Sequence, residues 1–299
     1  MSHYLTLRDF NIPKANINLV ELEKGMNESS YIHAGVELFK ELMQYVCIAS
    51  CIYKVAEKDT PTGWTRNEAI LAGLLIRGTK IASGFLEAIC NNRMELANIL
   101  QRSLTETMIN LKYILTFQSD QLFDDFVIYS LRSEKKLYEI ITNNIAERGY
   151  EIPIEKRMKR SISRSFEKSG ISLNRVNSAN KNVWGGSIFK RFKDLGLAKG
   201  YHALFGIQSH FVHGNWQELL MHHLDYQGGK FTPRCDWSPP RPQPIFAMGY
   251  LIGETTIQFL EAFSPECNDR DKLRESLRDC VDRINRVDEL HEKYLQRSS

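Results

Sequence analysis

The sequence has few of the features that mark a disulfide-rich, zinc-binding or membrane-spanning chain. Its six cysteines are scattered and form no C-x-x-C pair, which argues against a disulfide framework or a zinc knuckle. Cys47 and Cys51 lie at i, i+4 in an apolar helical stretch and are predicted to be small buried thiols. The most apolar long stretch, residues 245–260, is about four residues short of a membrane span and carries Glu254. We therefore expect no membrane partner.

A strong charge of one sign and a leader sequence are also missing. Lysine and arginine number 39 against 36 acidic residues, so the formal net charge is only +3, and no overall field favours nucleic acid or a membrane surface. The opening residues MSHYLTLRDFNIPK lack the charged start and apolar run of a signal peptide. We expect a cytoplasmic protein in which any affinity for a polyanion comes from local clusters of charge.

Alternating apolar patterns are nearly absent, whereas apolar residues recur with helical periodicity along most of the chain. With 42% apolar residues in a chain of 299 residues, this pattern predicts an all-α protein with one helical bundle over residues 1–299, in which the N- and C-terminal helices are peripheral. No repeat of fixed period appears. The predicted helices cover about 30–57, 66–91, 94–117, 119–148, 153–168, 186–195, 199–213, 243–263 and 268–296.

The last predicted helix, residues 268–296, is amphipathic. One stripe of its surface carries apolar side chains between dense charges: Leu273, Leu277, Cys280, Val281, Ile284, Val287 and Leu290. Such a stripe either packs on the bundle or forms the seam of a homodimer.

Positive charge is concentrated between residues 156 and 199. This segment holds twelve basic residues against two acids, a net of +10. One interpretation is a solvated helix and loop. The other is a site for single-stranded RNA, in which Phe166, Trp184, Phe189 and Phe192 could stack on unpaired bases. The basic residues that we assign to such a site are Lys156, Arg157, Lys159, Arg160, Arg164, Lys190 and Arg191.

A polar row crosses the otherwise apolar helix 94–117. Arg102, Glu106 and Asn110 recur every four residues and therefore share one face. If this face is buried, its charges must be paired. The row is then either a structural ion pair between Arg102 and Glu106 or the polar floor of a functional pocket.

The stretch 208-QSHFVHGNW-216 ends a predicted helix with two histidines. Ser209 and His213 lie at i, i+4, and Gly214 is a typical residue for stopping a helix. His213 is thus either a favourable cation at a helix end or an acid–base group beside the polar row. Further histidines follow at 222 and 223, but no complete set of ligands with metal-binding spacing appears. We expect neither a metal nor another cofactor.

HEPN ribonucleases provide one test of the acid–base interpretation. They carry an arginine four to six residues before the catalytic histidine. The imidazole can then act on a ribose hydroxyl while the guanidinium of the arginine holds the phosphate. No arginine precedes His210 or His213 at that spacing. The pattern occurs once, in 286-RVDELH-291, as often as chance allows.

Several motifs taken together resemble an uncharacterised bacterial helical family, a domain of unknown function. They are the Arg102–Glu106 helix, the segment 184-WGGSIFKRFKDLGL-197, and a closing pattern of Tyr201, Phe205, Ser209, Val212, His213 and Gly214. The resemblance covers about residues 60–265. Phenylalanine stands at 205 where the family often has tyrosine, which removes one hydroxyl group.

This resemblance implies that Arg102, Glu106, Ser209 and His213 form a recurrent group. The family is distantly similar to HEPN-like bundles, so it implies an RNA-directed effector, such as an endoribonuclease of bacterial stress or phage defence. In that case His213 is the general acid–base, Arg102 holds phosphate, and Glu106 orients one of them. The alternative is a non-catalytic interaction or scaffold protein with an architectural polar cluster.

Overall fold

The computed structural model describes residues 12–24, 27–52, 63–180, 183–263 and 268–298. In these ranges the protein is almost entirely helical, with one small antiparallel sheet. The α-helices are α1 (Leu19–Glu23), α2 (Glu28–Ser50), α3 (Arg66–Cys90), α4 (Met94–Thr116), α5 (Asp120–Ser130), α6 (Arg132–Arg148), α7 (Pro153–Ser169), α8 (Ile188–Asp194), α9 (Gln208–His213), α10 (Trp216–His222), α11 (Pro242–Phe263) and α12 (Asn268–Ser298).

The helices begin and end where the sequence provides stop and start signals. Thr65 accepts a hydrogen bond from the Glu68 backbone N–H, and the Glu68 carboxylate accepts one from the backbone N–H of Thr65, which together form the capping box of α3. Gly149 and Gly170 end α6 and α7 in the left-handed conformation that suits glycine. The predicted break near Ser264 lies outside the described residues.

The main core lies among α2, α3, α4, α11 and α12, which pack side by side. Phe39 and Phe85 meet at its centre, with ring centroids 5.7 Å apart. Gly78 lets α3 approach α4 closely, since a Cβ there would lie 1.8 Å from the Met108 methyl carbon. The predicted all-α fold is confirmed, but the helices predicted to be peripheral, α2 and α12, are part of this apolar core.

The apolar stripe of α12 packs on this bundle. All seven residues predicted for it are at most 2% exposed, and the helix contacts α2 and α11. Because the chain's own helices cover this stripe, it is not available to a second copy. A homodimer through α12, which stays a prediction, would have to use the charged face.

A second, smaller apolar cluster supports α5, α6 and α7. It contains Val127, Leu131, Ile141, Ile162, Phe166, Ile171 and Val176, and Ile70 and Phe126 pack against both clusters. Asp124 on α5 ties this region to the bundle, because it forms ion pairs with both Arg66 at the start of α3 and Arg175. The basic helix α7 therefore lies on the periphery of the protein.

Several predicted helices differ in the structure. The helix expected over 119–148 is broken at Leu131, where ψ is −1°, and no glycine or proline marks that break. The helix expected over 30–57 ends at Ser50. Residues 53–57 lie outside the described residues. Three of the described α-helices and β-elements were not predicted: α1, α10 and a hairpin whose strands, β1 (Leu224–Gln227) and β2 (Lys230–Pro233), flank Gly228 and Gly229.

The cysteine prediction was wrong in one respect. Cys47 and Cys51 are exposed, because α2 buries the arc that holds Leu42, Val46 and Ala49. Apolar residues surround the helix at this point, so the sequence did not fix its phase.

Of the described residues, α3 is long and apolar enough to cross a membrane by length and composition, with mean hydropathy 1.4. Core helices share this property, and α3 packs between α2 and α4.

Candidate functional site

Arg102 on α4 is the centre of a compact cluster formed with the segment before α9. Its guanidinium donates to the Ser209 hydroxyl and, at 3.5 Å, to the Phe205 carbonyl oxygen. The same group lies 3.8 Å from the centre of the Phe205 ring, a cation–π contact. The Ser209 hydroxyl in turn donates to the Phe205 carbonyl oxygen at 3.1 Å. The structure thus brings together Arg102 and Ser209, two of the residues predicted for the site.

The returning chain runs antiparallel to α4. Arg191 contacts Asn110, Ser209 contacts Arg102, and His222 lies 3.4 Å from Glu95, so later residues meet earlier positions of α4. Glu106 and His213 lie one helical turn beyond the Arg102–Ser209 contact, in opposite directions. This places them about 12 Å apart along the helix axis.

Glu106 and His213 are both exposed. Within the described part of the chain, no hydrogen bond or ion pair joins either residue to Arg102. His213 occupies the last turn of α9, and Gly214 follows with φ +57°, as the helix-end interpretation expects. The catalytic roles assigned to Arg102, Glu106, Ser209 and His213 stay predictions.

A π-helical turn, His202–Gly206, interrupts the helix that was predicted over 199–213. The buried Gln208 side chain donates to the Ala203 carbonyl oxygen of this turn at 2.9 Å. This turn changes the phase of the helix. Beyond the turn, the apolar side chains of Ile207 and Val212 are 54% and 46% exposed.

Arg191, predicted to bind nucleic acid, is instead buried, with 3% exposure. Its guanidinium donates to the Asn110 side chain and to the carbonyl oxygens of Trp184 and Gly186, and it lies 3.9 Å from the Trp184 ring centre. Gly185 lets this loop approach α4, because a Cβ there would lie 2.8 Å from the Tyr113 ring. The segment 184-WGGS-187 therefore forms a socket for an arginine, and Arg191 is not available to RNA.

The other predicted RNA-binding residues differ in whether an acidic side chain already pairs with them. Lys190 pairs with Asp194, and this contact raises the pKa of Lys190. Lys159 lies 3.4 Å from a Glu151 carboxylate oxygen. The remaining four are exposed on α7, where Lys168 joins them, and none of the five forms an ion pair with a described residue. These five are Lys156, Arg157, Arg160, Arg164 and Lys168, and we call them the α7 stripe.

The aromatic residues expected to stack on bases are largely inside the protein. Phe166, Trp184 and Phe192 are at most 6% exposed, whereas Phe189 is 45% exposed. The first three pack in the two apolar clusters, so they cannot serve as stacking platforms. These three rings are therefore not available to stack on RNA bases, and the RNA hypothesis depends on contacts of basic residues with the phosphate backbone.

A polar junction at the other end of α4 was not predicted from the sequence. His222 at the end of α10 contacts the Ser238 hydroxyl through Nδ1 at 2.8 Å, and the Ser238 backbone N–H donates to the Glu95 carboxylate at 3.0 Å. Arg234 also donates to the Ser238 hydroxyl. In the sequence, Glu95 is a single acid near the start of an apolar helix. The segment between β2 and α11, residues 234–241, carries no signal that Ser238 contacts it.

Electrostatics at this junction favour a neutral histidine beside an ionised carboxylate. Burial lowers the pKa of His222, although Glu95 opposes this shift. For Glu95, burial raises the pKa, but hydrogen bonds from Ser238 and from its own backbone overcome that effect, so the pKa lies below its usual value. The Ser238 hydroxyl and the nearest Glu95 oxygen both lie beside the same ring nitrogen, Nδ1. This is not the geometry of a nucleophile–histidine–acid triad, which uses both ring nitrogens.

The fold and these clusters define an all-α protein whose polar groups fasten a returning segment along α4. Residues 68–231 match the model of a family of unknown function, DUF5677. The match covers more than half of the chain, so the protein belongs to this family, as its resemblance to an uncharacterised family predicted. A comparison with curated proteins and with solved structures finds no match.

Proposed function

We propose that the protein is an RNA-directed effector that holds the phosphate backbone of single-stranded RNA on the α7 stripe. The observation that carries this proposal is the alignment of five exposed cations on one helix face. At 100° per residue they fall within about 120° of arc and extend over about 18 Å. Such a row can neutralise several phosphates and release their counterions, which is the main source of backbone affinity.

The surroundings of α7 support this assignment. The acids near its start are already engaged, because Glu155 pairs with Arg148 and Glu151 with Lys159. Glu167 is the acid that lies on the stripe itself. The helix buries Ile162 and Phe166 on the opposite side, so the stripe faces solvent on a rigid element.

Arg102 and Ser209 are better explained as architecture. Arg102 already holds Ser209, the Phe205 carbonyl oxygen and the Phe205 ring. A phosphate would have to displace these contacts. This favours binding without cleavage, and it combines the RNA partner of one hypothesis with the architectural polar cluster of the other. A HEPN-like role in bacterial stress or phage defence belongs to the same proposal and rests on the family resemblance alone.

A titration with labelled single-stranded RNA at two salt concentrations tests the proposal. We expect replacement of Lys156, Arg157, Arg160 and Arg164 by glutamine to weaken binding. We also expect it to reduce the log–log salt slope by about 0.7 for each phosphate that the protein no longer neutralises. The matched control replaces four lysines that are exposed elsewhere on the protein by glutamine: Lys80, Lys230, Lys272 and Lys293. Both variants lower the net charge of +3 by four. Equal weakening in both variants, or no binding by the wild type at 50 mM salt, would contradict the proposal.

His213→Ala separates binding from catalysis in the same assay. If His213 is a general acid–base, its removal should leave RNA affinity unchanged and reduce cleavage by about 10²-fold or more. Our proposal expects unchanged affinity and no cleavage in either protein. Cleavage by the wild type that disappears in this variant would restore the endoribonuclease hypothesis.

A further inference from the structure

Three potential metal ligands meet near the end of α12. They are Asp288, His291 and Glu292, and one potential ligand atom from each, a carboxylate oxygen or an imidazole nitrogen, lies within 4.8 Å of the other two. The spacing i, i+3, i+4 places them on one side of the helix. Opposite them, at the start of α2, a carboxylate oxygen of Glu28 lies 3.7 Å from Nε2 of His291.

His291 is the unusual member of this group. It is completely buried, with 0% exposure, yet neither ring nitrogen has a hydrogen-bond partner. The 3.7 Å separation from Glu28 is too long for a hydrogen bond. The nearby Tyr31 hydroxyl donates to the Leu22 carbonyl oxygen at 2.7 Å and forms no hydrogen bond with either ring nitrogen. A buried imidazole without a hydrogen bond needs a physical explanation.

The walls around His291 are aromatic. The rings of Tyr31 and Phe246 lie 5.0 and 6.2 Å from the imidazole, measured between centroids. Glu292 is exposed and Asp288 is partly exposed, so the group opens to solvent on its carboxylate side. A small ion could enter there, whereas the apolar walls exclude a larger polar ligand.

Among the described residues, no cation pairs with the two carboxylates of the group. Asp288 and Glu292 are like charges at i, i+4, which repel each other, and neither forms an ion pair with another described residue. The nearby Arg286 pairs with Glu289 at 3.1 Å. A bound cation would relieve this repulsion and provide the missing partner of His291.

We propose that Asp288, His291 and Glu292 bind a divalent transition cation such as Zn²⁺. One imidazole nitrogen and two carboxylates, with water in the remaining position, are a common donor set for such ions. Glu28 lies outside the group of three and acts as a positioning residue, since a carboxylate beside the imidazole fixes the orientation of the ring. No metal was expected from the sequence, where His291 was considered only in the arginine–histidine pattern 286–291; the proposed site departs from that expectation.

Calorimetric titration of chelator-treated protein with Zn²⁺ tests the site. The double variant Asp288→Asn/Glu292→Gln should lose about one equivalent of zinc relative to the wild type. The matched control is Glu275→Gln/Glu289→Gln, which changes two exposed acids of the same helix and should keep it. The difference between variants is the measurement, because the exposed Cys47, Cys51, Cys90 and Cys235 can also bind zinc.

A thermal measurement provides the second readout. Zinc should raise the melting temperature of the wild type and of the control, but not that of the Asp288/Glu292 variant, because a ligand that binds only the native state stabilises it. The two altered side chains lie at the surface side of the group, so the variant should fold. His291→Gln, at the buried position, should also lose the equivalent if it folds. Equal zinc binding by the wild type and the Asp288/Glu292 variant would overturn the proposal.

Discussion

At the scale of single residues, Lys190 and Arg191 show how burial separates two cations that are adjacent in the sequence. Lys190 is a surface residue paired with Asp194, whereas Arg191 is buried and donates to three acceptors on α4 and the preceding loop. From sequence, both were predicted to contact RNA. Because the two residues are adjacent in a short helix, the sequence does not indicate which side chain points into the protein.

We expect substitution by methionine to distinguish these two residues. Arg191→Met should lower the free energy of unfolding by about 2–4 kcal/mol, because it leaves buried acceptors without donors. Lys190→Met should have a much smaller effect, as is usual for an exposed ion pair. Urea denaturation of both variants measures the difference. Two small and equal effects would show that the Trp184–Gly186 socket does not hold the arginine.

The candidate site was predictable from sequence only in part. The four-residue spacing of Arg102, Glu106 and Asn110 correctly placed them along one side of α4, and two of the three contact the returning segment. What the spacing could not give was the direction of that segment. Because it runs antiparallel to α4, it carries His213 away from Glu106.

At the scale of elements, the junction of α4, α10 and the connector after β2 depends on protonation. Burial lowers the pKa of His222 below the ordinary 6.5, so the unfolded chain takes up this proton at a higher pH than the folded one. The contribution to stability is therefore complete above pH 6.5 and is lost as the pH falls through the folded-state pKa. Glu95, whose folded-state pKa lies below the ordinary 4.5, adds a second loss under more acidic conditions.

His222→Asn tests this pH dependence, because asparagine can still form a hydrogen bond with Ser238 but does not titrate. We expect the wild type to lose stability between pH 7.5 and 5.5, and the variant to lose less. Some loss should remain in the variant, since burial also lowers the pKa of His291. The control His33→Asn, at an exposed position on α2, should behave as the wild type. An unchanged loss in His222→Asn would contradict this account.

The elements themselves were predictable where periodicity and end signals agree. The core helices α3, α4 and α11 have strong helical periodicity, and Thr65 marks the start of α3. The failures come from weak local signals. The break at Leu131 has no glycine or proline, and the π-helical turn depends on a tertiary environment that buries Gln208. The dipeptide Gly228–Gly229, a favoured hairpin turn, was a signal for the missed β-sheet.

At the scale of the whole molecule, the family match and the hydrophobic core do not coincide. The match covers residues 68–231, but the main core also requires α2, α11 and α12. Within the matched region, α3 and α4 therefore depend on helices that lie before and after it. The second cluster, under α5 to α7, belongs entirely to the matched region apart from its contacts with the bundle.

This division predicts unequal local stability. Helix α4 buries fourteen residues, whereas α6 buries only Ile141, and α7 buries only Glu155, Ile162 and Phe166. Fewer buried apolar contacts mean that a segment can open without unfolding the rest. We expect the backbone amides of α6 and α7 to exchange hydrogen by such partial opening, and those of α4 to exchange only on global unfolding.

Two matched phenylalanine substitutions separate the two regions. Phe166 is 3% exposed in the second cluster and Phe85 is 0% exposed in the main core, and truncation of either to alanine should cost about 3–5 kcal/mol locally. Phe166→Ala should speed exchange in α6 and α7 and leave α4 protected, whereas Phe85→Ala should speed exchange in both regions. Hydrogen exchange read by mass spectrometry measures these rates. If Phe166→Ala accelerated exchange in α4 by the same factor as in α7, the two clusters would be one cooperative unit, and RNA bound on α7 would be expected to stabilise the whole bundle rather than its edge.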